Sequence, residues 1–349
     1  MKVLRIIASV DPRGGGPIAG LLQQAELQAR EGIETYIASL DDPAAQFVRD
    51  CPVKVHALGR AKPADWRRKL PWIHYGYSSA FVPWLKAHVC EYDIVTVEGL
   101  WHYATLGARR VLAGSGAPYV VFTHGMLDPW FRKNYPLKNA LKQVFWWFCE
   151  GPLLNYARAV LFTTEEEKIL ARGAFSPYRV KEKVVGFGTG DIPGEASVQK
   201  AAFRTAQPKL GDKSYLLFLS RIHPKKGCDL LIGAFAKIAA EHPNLDLVIA
   251  GPDQTGWKKT LVAQAEALGV AGRIHWPGML TGDVKWGAFR GAEAFVLPSH
   301  QENFGVVVAE AMAAGTLVLI TNKVNIWREV EKSGGGCVDT DDTAGIVRL

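Results

Sequence analysis

Short apolar runs alternate with helical patterns along most of the chain. The first half contains runs rich in Val, Ile, Leu and Phe that suit buried strands: KVLRIIASV near the start, ETYIASL, VKVHAL (53–58), DIVTVEG (93–99), PYVVFTHG (118–125) and AVLFTT (159–164). A segment with helical spacing, IAGLLQQAELQAREG, lies between the first two runs. Repeated alternation of this kind predicts a parallel sheet that is covered by helices on both faces.

The alternation weakens between about 186 and 213 and then starts again. The weak stretch is rich in Gly, Pro, Ser and Lys, which is typical of an interdomain linker. Beyond it, SYLLFLS, LDLVIAG, RIHW, AEAFVLPS and TLVLIT predict further strands. The expected fold is therefore α/β, with two doubly wound Rossmann-like domains (1–190 and 214–349) that face each other across a cleft and are joined by a linker (191–213). We predict no closing helix in the final GGGCVDTDDTAGIVRL.

Composition excludes several classes of protein. The chain has 349 residues, of which 48% are hydrophobic and 21% charged, and this is the composition of a soluble globular protein. A net charge of +7 suits an anionic ligand or an anionic membrane surface without requiring nucleic acid. Five scattered cysteines without a C-x-x-C motif favour a reducing cytoplasm over a disulfide framework or a zinc site. No stretch approaches the ~20 apolar residues that span a bilayer, so we expect a cytoplasmic protein, at most peripheral to the inner face of a membrane.

Two loops in the first half follow predicted strands and carry candidate site residues. DPRGGGP (11–17) separates a strand from a helix, and glycines there allow a backbone to approach an anion closely, although a plain tight turn explains them equally well. In FTHGMLDPW (122–130), His124 directly follows a strong strand. Site residues collect at the carboxyl edge of such sheets, but a structural histidine in a turn remains an equal alternative.

Basic and acidic candidates lie in the second half. Arg221 and Lys226 in LSRIHPKKGCDLL flank a turn before a helix, where a guanidinium and an ammonium suit a diphosphate leaving group. We interpret Lys225 as a solvated base. In HQENFGVVVAEAMAAG (300–315), a helix is predicted from near Asn303 to Gly315, with Glu302 at its mouth and Glu310 about two turns inside. Carboxylates accept hydrogen bonds from paired sugar hydroxyls, although a surface position would also explain Glu310.

Two other stretches have simpler interpretations. The D-x-D spacing of Asp339 and Asp341 occurs in some metal-dependent sugar transferases, but its Gly/Thr/Asp-rich surroundings favour a turn. The aromatic and basic run KNALKQVFWWFCEGPLLNYARAV (138–160) is compatible with contact to a membrane or a lipid acceptor. Its apolar spacing also suits a core helix of the first domain, and we favour core packing.

Taken together, the motifs resemble the retaining nucleotide-sugar glycosyltransferases of family 4, which have the GT-B fold. The resemblance is strongest over roughly 215–336, where Glu302 and Glu310 fit the E-x(7)-E signature of that family and accompany the R-x(4)-K pair. The first half matches more loosely, through the glycine loop, THGMLDPW and TTEEEKILA. The sequence departs from the family at VVGFGTGDIP, where a P-N-G segment is common, and in lacking the C-terminal helices that usually cross back onto the first domain.

The resemblance implies a role for each candidate residue. Glu310 would bind the donor ribose and Glu302 the transferred hexose, with His124 lining the donor sugar from the opposite domain. Arg221 and Lys226 would stabilise the diphosphate together with the loop backbone, and Gly251 and the turn at 277–280 would lie near the base. The implied catalytic set is His124, Arg221, Lys226 and Glu302, and the implied donor-binding set is Gly15, Gly16, Gly251, Asn303, Phe304, Gly305, Val306 and Glu310.

The resemblance also implies the reaction and the partners. A hexose would move from a nucleotide-diphosphate sugar to a saccharide or lipid-linked saccharide in exopolysaccharide or lipopolysaccharide assembly. No metal or cofactor, no fixed enzymic nucleophile and no nucleic acid would take part, and contact with an anionic membrane would be peripheral. Two alternatives remain open: a nucleotide-sugar epimerase on the same fold, and a non-catalytic nucleotide-sugar binder. The base, the hexose, the acceptor and the linkage have no readable code in the sequence.

Overall fold

The computed structural model describes the whole chain except residues 15, 62, 64, 67–69, 71, 72, 74, 130, 131 and 133–135. The chain divides into two compact units, Met1–Gly186 and Phe187–Leu349. Each unit is an α/β layer structure built on its own sheet. Among the described residues, no helix is long and apolar enough to cross a membrane.

The first unit is built on a seven-stranded parallel sheet with the order β3-β2-β1-β4-β5-β6-β7. Its strands are β1 (Lys2–Ile7), β2 (Glu34–Ser39), β3 (Lys54–Ala57), β4 (Ile94–Glu98), β5 (Tyr119–Phe122), β6 (Ala159–Phe162) and β7 (Glu182–Val184). The described α-helices are Gly16–Arg30, Gln46–Arg49, Phe81–His88, Tyr103–Leu112, Pro136–Phe145, Gly151–Tyr156 and Glu165–Ala171, and a π-helical segment spans Trp146–Glu150.

The second unit has a six-stranded parallel sheet with the order β10-β9-β8-β11-β12-β13. Its strands are β8 (Ser214–Leu219), β9 (Leu245–Ala250), β10 (Ile274–Gly278), β11 (Ala294–Leu297), β12 (Leu317–Thr321) and β13 (Gly336–Asp339). Its α-helices are Ala196–Ala206, Cys228–Ile238, Lys258–Ala267, Gly282–Gly291, Val306–Ala313, Trp327–Ser333 and Thr343–Arg348.

Both sheets have a switch point, where the strand order reverses between two neighbouring strands. In the first unit β1 pairs with both β2 and β4, and in the second unit β8 pairs with both β9 and β11. The loops that follow these strands open a crevice at the carboxyl edge, and this is where open α/β sheets bind ligands. The predicted doubly wound fold is thus confirmed in each half, and the switch points indicate where to look for a site.

The central strands consist mostly of buried apolar residues because helices cover both faces of each sheet. In β1 every residue after Lys2 is buried, and β11 is buried throughout. Arg5 is the exception among the buried apolar residues of β1, with 6% of its surface exposed. A charged side chain at that depth needs a partner. For Arg5 that partner is Glu98, at the end of β4.

The structure differs from the sequence prediction at both ends of the second unit. The segment predicted as a linker contains the helix Ala196–Ala206, whose Phe203 is 1% exposed and packs on Tyr215 at 5.2 Å between ring centroids. At the other end, Thr343–Arg348 forms a helix, so the expectation of no closing helix is wrong. Asp342 caps that helix by accepting from the Gly345 N–H at 2.8 Å.

The aromatic run at 138–160 is only in part a core element. Trp146 (1% exposed), Leu153 and Leu154 (0%) are buried, as core packing predicts. Leu137 (84%) and Leu141 (68%) are instead among the most exposed large apolar side chains of the molecule. The expectation of core packing therefore holds for one face of this run and fails for the other.

Candidate functional site

In the second unit, the loops after β8 and β11 bring Lys226 and Glu302 into contact. The ammonium of Lys226 donates to Oε2 of Glu302, with side-chain exposures of 11% and 22%. The two loops are also joined through the backbone, because the His300 N–H donates to the carbonyl of Lys225 at 2.9 Å. Two residues predicted from separate motifs therefore form one ion pair at the switch point.

A glycine makes this close approach of the two loops possible. Gly227 follows Lys226 with φ +66°, and a Cβ at that position would lie 2.0 Å from the carbonyl oxygen of Pro298. Any side chain would push the β8 loop away from the β11 loop. The glycine in PKKG thus serves to place Lys226 beside Glu302.

Positive charge accumulates in the β8 loop. Arg221 is exposed, and Lys226 ends the 3-10 turn Pro224–Lys226, just before the Cys228–Ile238 helix. Burial first, and then the charges of Arg221, Lys225 and Lys226, lower the pKa of His223 below its ordinary value. The neighbouring cations thus disfavour the imidazolium, and the same field favours an anion in the crevice.

The backbone of Glu302 is fixed by the loop after β12. Its N–H donates to the carbonyl of Lys323 at 3.0 Å, and its carbonyl accepts from the Asn325 N–H at 3.1 Å. These two bonds form an isolated parallel bridge between Glu302 and Val324. The carboxylate is therefore placed by rigid backbone and not only by its ion pair.

The helix after Glu302 begins later than the sequence predicts. Gly305 adopts a left-handed conformation (φ +71°) as the N-cap, so the helix starts at Val306 instead of near Asn303. Phe304 is 7% exposed and meets the Phe187 ring edge-on at 5.0 Å, which anchors the loop in the core. The first N–H groups of this helix have no intrahelical acceptor and present partial positive charge. Oδ1 of Asn303 is buried without a partner in the described part of the chain.

Glu310 lies on the same helix and is held by a lysine that sequence reasoning missed. Its Oε1 accepts from the ammonium of Lys285 at 2.7 Å, with side-chain exposures of 15% and 21%. Because the helix starts at Val306, Glu310 is just over one turn inside instead of about two. Lys285 belongs to the Gly282–Gly291 helix, and no sequence spacing connects it to Glu310.

The structure gives Gly251 a packing role. Its φ is +137°, and a Cβ there would lie 1.8 Å from the carbonyl oxygen of Ser220. Its N–H donates to the carbonyl of Gly278 at 2.7 Å. These contacts hold the carboxyl ends of β8, β9 and β10 together. The predicted contact of Gly251 with a donor remains a prediction.

In the first unit, His124 is placed by a buried ionic network at the switch point. Its Nε2 lies 2.7 Å from Oε2 of Glu98, and Oε1 of Glu98 lies 2.7 Å from Nε of Arg5. Burial alone would raise the pKa of Glu98, but the Arg5 charge and the His124 hydrogen bond together hold that pKa below its ordinary value. An ionised Glu98 accepts only, so Nε2 of His124 carries the proton of this hydrogen bond, and in the neutral tautomer that this bond selects Nδ1 is the acceptor.

The loop that carries His124 is further fixed by Glu167. His124 itself has φ +49° and stacks on Phe122 at 4.5 Å. Oε1 of Glu167, a residue with 4% exposure, accepts from Thr123 Oγ1 at 3.0 Å and from the Gly125 N–H at 2.8 Å. Thr164 caps the following helix, because its Oγ1 accepts from the Glu167 N–H at 3.1 Å. The Glu167 carboxylate, however, turns toward the His124 loop and the Thr163 N–H.

The glycine loop of the first unit is described only in part. Gly15 lies outside the described residues. Gly16 starts the Gly16–Arg30 helix, and a Cβ there would meet nothing within 4 Å. Internal packing therefore does not require a glycine at this position. Asp41 fixes the preceding turn, because its Oδ2 accepts from the Val10 N–H at 2.8 Å.

The D-x-D pair is used within the second unit. Asp339 ends strand β13, which corrects its prediction as a turn, and it pairs with Arg348 at 2.5 Å. Oδ2 of Asp341 lies 3.1 Å from Nδ1 of His300. Within the described ranges, no group of three or more His, Cys, Asp or Glu residues is placed to hold a metal ion.

Two family models together match most of the chain. The model for a glycosyl transferase 4-like domain matches residues 15–188, and the model for glycosyl transferases group 1 matches residues 199–347. Their boundary falls near the division between the two units. The match to the second model includes Arg221, Lys226, Glu302 and Glu310.

Curated relatives match over part of their length. The phosphatidyl-myo-inositol mannosyltransferase of Mycolicibacterium smegmatis is 32% identical over 189 residues, which are 52% of this chain and 47% of that protein. The D-inositol 3-phosphate glycosyltransferase of Rhodococcus jostii is 32% identical over 176 residues, which are 47% of this chain and 37% of that protein. The chain thus spans less than half the length of either relative.

Solved structures match along the whole chain. Anabaena Alr3699/HepE in complex with UDP and glucose has a TM-score of 0.73 at 19% identity, covering 100% of this chain and 88% of that one. The lipopolysaccharide glycosyltransferase WaaG has a TM-score of 0.65 at 17% identity, covering 99% and 89%. At these identities the likeness shows the fold, and it confirms the predicted GT-B class.

Proposed function

Since the chain belongs to the group 1 glycosyl transferases, with a 4-like first unit, we propose that it transfers a hexose from a nucleotide-diphosphate sugar to an acceptor. The acceptor class that we propose is a saccharide or a lipid-linked saccharide. We further propose that the anomeric configuration is retained, that no metal is needed, and that the product enters exopolysaccharide or lipopolysaccharide. A lipid-linked acceptor would bring the enzyme to the cytoplasmic face of a membrane.

One observation carries this proposal: two lysine-bound carboxylates flank the start of one helix. Glu302 precedes the Val306–Ala313 helix and Glu310 lies within it. Lys226 contacts Oε2 of Glu302, and Lys285 contacts Oε1 of Glu310. Each carboxylate keeps a second oxygen for hydroxyl donors. This pattern suits a ligand with a sugar at each end, which is the form of a nucleotide-diphosphate sugar.

The groups between the carboxylates suit the diphosphate. The free N–H groups at the helix start favour an anion, and Arg221 and Lys226 supply full positive charges near the same crevice. Charge that develops on a leaving diphosphate would be stabilised there without a metal. The departing phosphate would then take the proton of the attacking acceptor hydroxyl on the same face of the sugar, and the configuration at the anomeric carbon would be kept.

For His124 we propose a more limited role. Because Nε2–H donates to Glu98, Nδ1 is available to accept a hydrogen bond. The side chain is 13% exposed, so one edge of the ring reaches the surface. We propose that Nδ1 accepts from a hydroxyl of the substrate.

The decisive experiment measures the binding of a donor to the Glu310→Gln variant by isothermal titration calorimetry. UDP-glucose is a sensible first donor, since a structural neighbour holds UDP and glucose. Replacing an ionised acceptor by an amide should weaken binding by about tenfold or more. The matched control is Glu241→Gln, an exposed glutamate of the same unit just before β9, which should bind as the wild type does. Unchanged binding by Glu310→Gln would contradict the donor site.

Product analysis separates transfer from the two alternatives. Donor and wild-type protein are followed by NMR with and without oligosaccharide acceptors. Acceptor-dependent formation of an α-glycoside supports the proposal. Conversion of the donor sugar without an acceptor would show an epimerase, and binding without conversion of any donor and acceptor tested would show a binding protein.

A further inference from the structure

The segment from Pro136 to Glu150 has an outer apolar face that the core does not use. Five large apolar side chains form this face, which we call the outer stripe: Leu137 (84% exposed), Leu141 (68%), Val144 (46%), Phe145 (43%) and Phe148 (66%). Single exposed apolar residues are common on proteins. A group of five within twelve consecutive positions is different and needs an explanation.

Helical spacing brings these side chains together. At about 100° per residue, the four positions in the α-helix fall within an arc of roughly 100° on the helix surface, and Phe148 follows in the π-helical turn Trp146–Glu150. Trp146 lies roughly opposite this arc, is 1% exposed, and stacks on Phe175 at 5.3 Å. The helix therefore has one apolar side in the core and a second, continuous apolar side facing solvent.

The buried side of the segment and one flank of it, which includes the 52% exposed Trp147, are tied to the rest of the unit. Gln143 Nε2 and Trp147 Nε1 both donate to the carbonyl of Ser176, at 2.6 Å and 2.8 Å. Trp146 Nε1 donates to the carbonyl of Pro177 at 2.8 Å. These contacts set the rotation of the segment, so the outward direction of the stripe is a fixed property of the fold.

The charges around the stripe are of one sign. Between residues 132 and 158 the described basic residues that are exposed are Arg132, Lys138 and Arg158, whereas the ammonium of Lys142 lies over the Trp101 ring at 4.6 Å; the acidic residue of this stretch is Glu150. Glu150 is 0% exposed and does not contribute to the surface. Burial and Glu150 raise the pKa of Cys149, whereas the charges of Arg109 and Arg110 lower it.

We propose that the outer stripe docks on the surface of a bilayer that contains anionic lipids. An interfacial helix of this kind inserts Leu and Phe side chains at the boundary between headgroups and acyl chains, and its basic residues meet the lipid phosphates. The charge favours a membrane over a second copy of the chain, because two such faces would bring like charges together. Docking does not depend on the donor chemistry, so the two proposals can fail separately.

Vesicle sedimentation of the full chain tests the proposal. Phosphatidylcholine vesicles with and without phosphatidylglycerol are compared, in the absence of any sugar nucleotide. We expect binding to the anionic vesicles, weak binding to neutral ones, and loss of binding as salt is raised. The variant Leu137→Ser/Leu141→Ser should bind the anionic vesicles at least about tenfold more weakly.

A second pair of exposed leucines provides the matched control. Leu27 (53% exposed) and Leu268 (46%) lie outside the segment, and Leu27→Ser/Leu268→Ser should sediment with vesicles as the wild type does. Both double variants should keep the thermal midpoint of the wild type within a few degrees, because all four side chains are exposed. Equal losses of vesicle binding in the two variants would overturn the proposal. Failure of the wild-type protein to bind anionic vesicles would overturn it as well. A wild-type dimer that Leu137→Ser/Leu141→Ser converts to a monomer, without vesicle binding, would show a protein interface instead.

Discussion

Carboxylates at the switch points of the two units are used in opposite ways. In the first unit Glu98 is 2% exposed, and its oxygens contact Arg5 and His124. In the second unit Glu302 and Glu310 keep side-chain exposures of 22% and 15%, and the structure pairs each with a single lysine. Both arrangements neutralise charge, but only the second leaves oxygen atoms that a ligand can reach.

The difference distinguishes a carboxylate that holds another side chain in place from carboxylates that can bind a ligand. A buried carboxylate with all its partners inside the protein cannot exchange them cheaply, so the Arg5–Glu98 pair fixes the tautomer and orientation of His124. A partly exposed pair with lysine can exchange one contact for a sugar hydroxyl at little cost. Mutations in the first unit should therefore act mainly on stability, and those in the second mainly on ligand binding and turnover.

The largest effect is expected for Glu98→Ala. Removing this carboxylate leaves the Arg5 guanidinium buried and unpaired, which should lower the free energy of unfolding by about 3–5 kcal/mol. Urea denaturation followed by circular dichroism measures the change. Glu302→Ala is the comparison and should cost less, because this pair is more exposed than the Arg5–Glu98 pair and water can reach the lysine that it leaves behind. Similar losses in the two variants would break the distinction between the two sites.

Lys226→Met tests the opposite side of the comparison. Methionine keeps the volume of the side chain but loses the charge proposed to stabilise the leaving diphosphate. We expect kcat to fall by about 10²–10³-fold, with the thermal midpoint within a few degrees of the wild type. Lys237→Met, at an exposed position of the Cys228–Ile238 helix, is the control and should keep full activity. Normal turnover by Lys226→Met would remove this lysine from the catalytic set.

Much of the second unit was predictable from sequence. Its strands are nearly continuous apolar runs, and the candidate residues lie in loops that must meet at one edge of the sheet. The contact between Lys226 and Glu302 follows from that topology. The start of the helix at Val306 did not follow, because it depends on the left-handed conformation of Gly305. Lys285 is brought to Glu310 only by the packing of two helices.

The structure of the first unit was less predictable from its sequence. His124 was identifiable by its place after a strand, but its partners were not. Two signals were present in the sequence: Arg5 interrupts an otherwise apolar strand, and Glu98 ends another one. A charge in a buried strand requires a counter-charge, and pairing the two would have located the network. The short strands β7 and β13 lack long apolar runs and are defined by sheet pairing alone.

Glu150 sharpens the comparison as a buried carboxylate that accepts from neutral donors in the described part of the chain. It accepts from the Trp101 N–H and from Thr105 Oγ1, both at 2.9 Å, and its Oε2 is buried without a partner in the part of the chain that the structure describes. Burial raises its pKa to about 7, against the smaller effects of these two hydrogen bonds and the Lys142 charge. The folded state then holds the proton more tightly than the unfolded chain, so stability is highest below the ordinary pKa and falls as pH rises toward 7.

The measurable consequence is a pH-dependent difference between wild type and Glu150→Gln. Between pH 5 and pH 8 the wild type should lose up to about 3 kcal/mol relative to the variant. His56 and His223, whose pKa values are lowered, act in the opposite direction and cancel in the difference. Urea denaturation across this range gives the comparison. A difference that does not change with pH would show that Glu150 stays ionised throughout.

The smallest effect is expected for Thr164→Ala, which removes one hydrogen bond beside the His124 support. Loss of the cap at the Glu167 N–H should lower the free energy of unfolding by about 1 kcal/mol. Thr164→Ser keeps the capping oxygen and should recover most of that loss. Because Glu167 still accepts from Thr123 and Gly125, turnover should remain near the wild-type value. A large loss of activity in Thr164→Ala at normal stability would mean that the cap positions the His124 loop directly, and that support and function are less separate in the first unit than its buried network indicates.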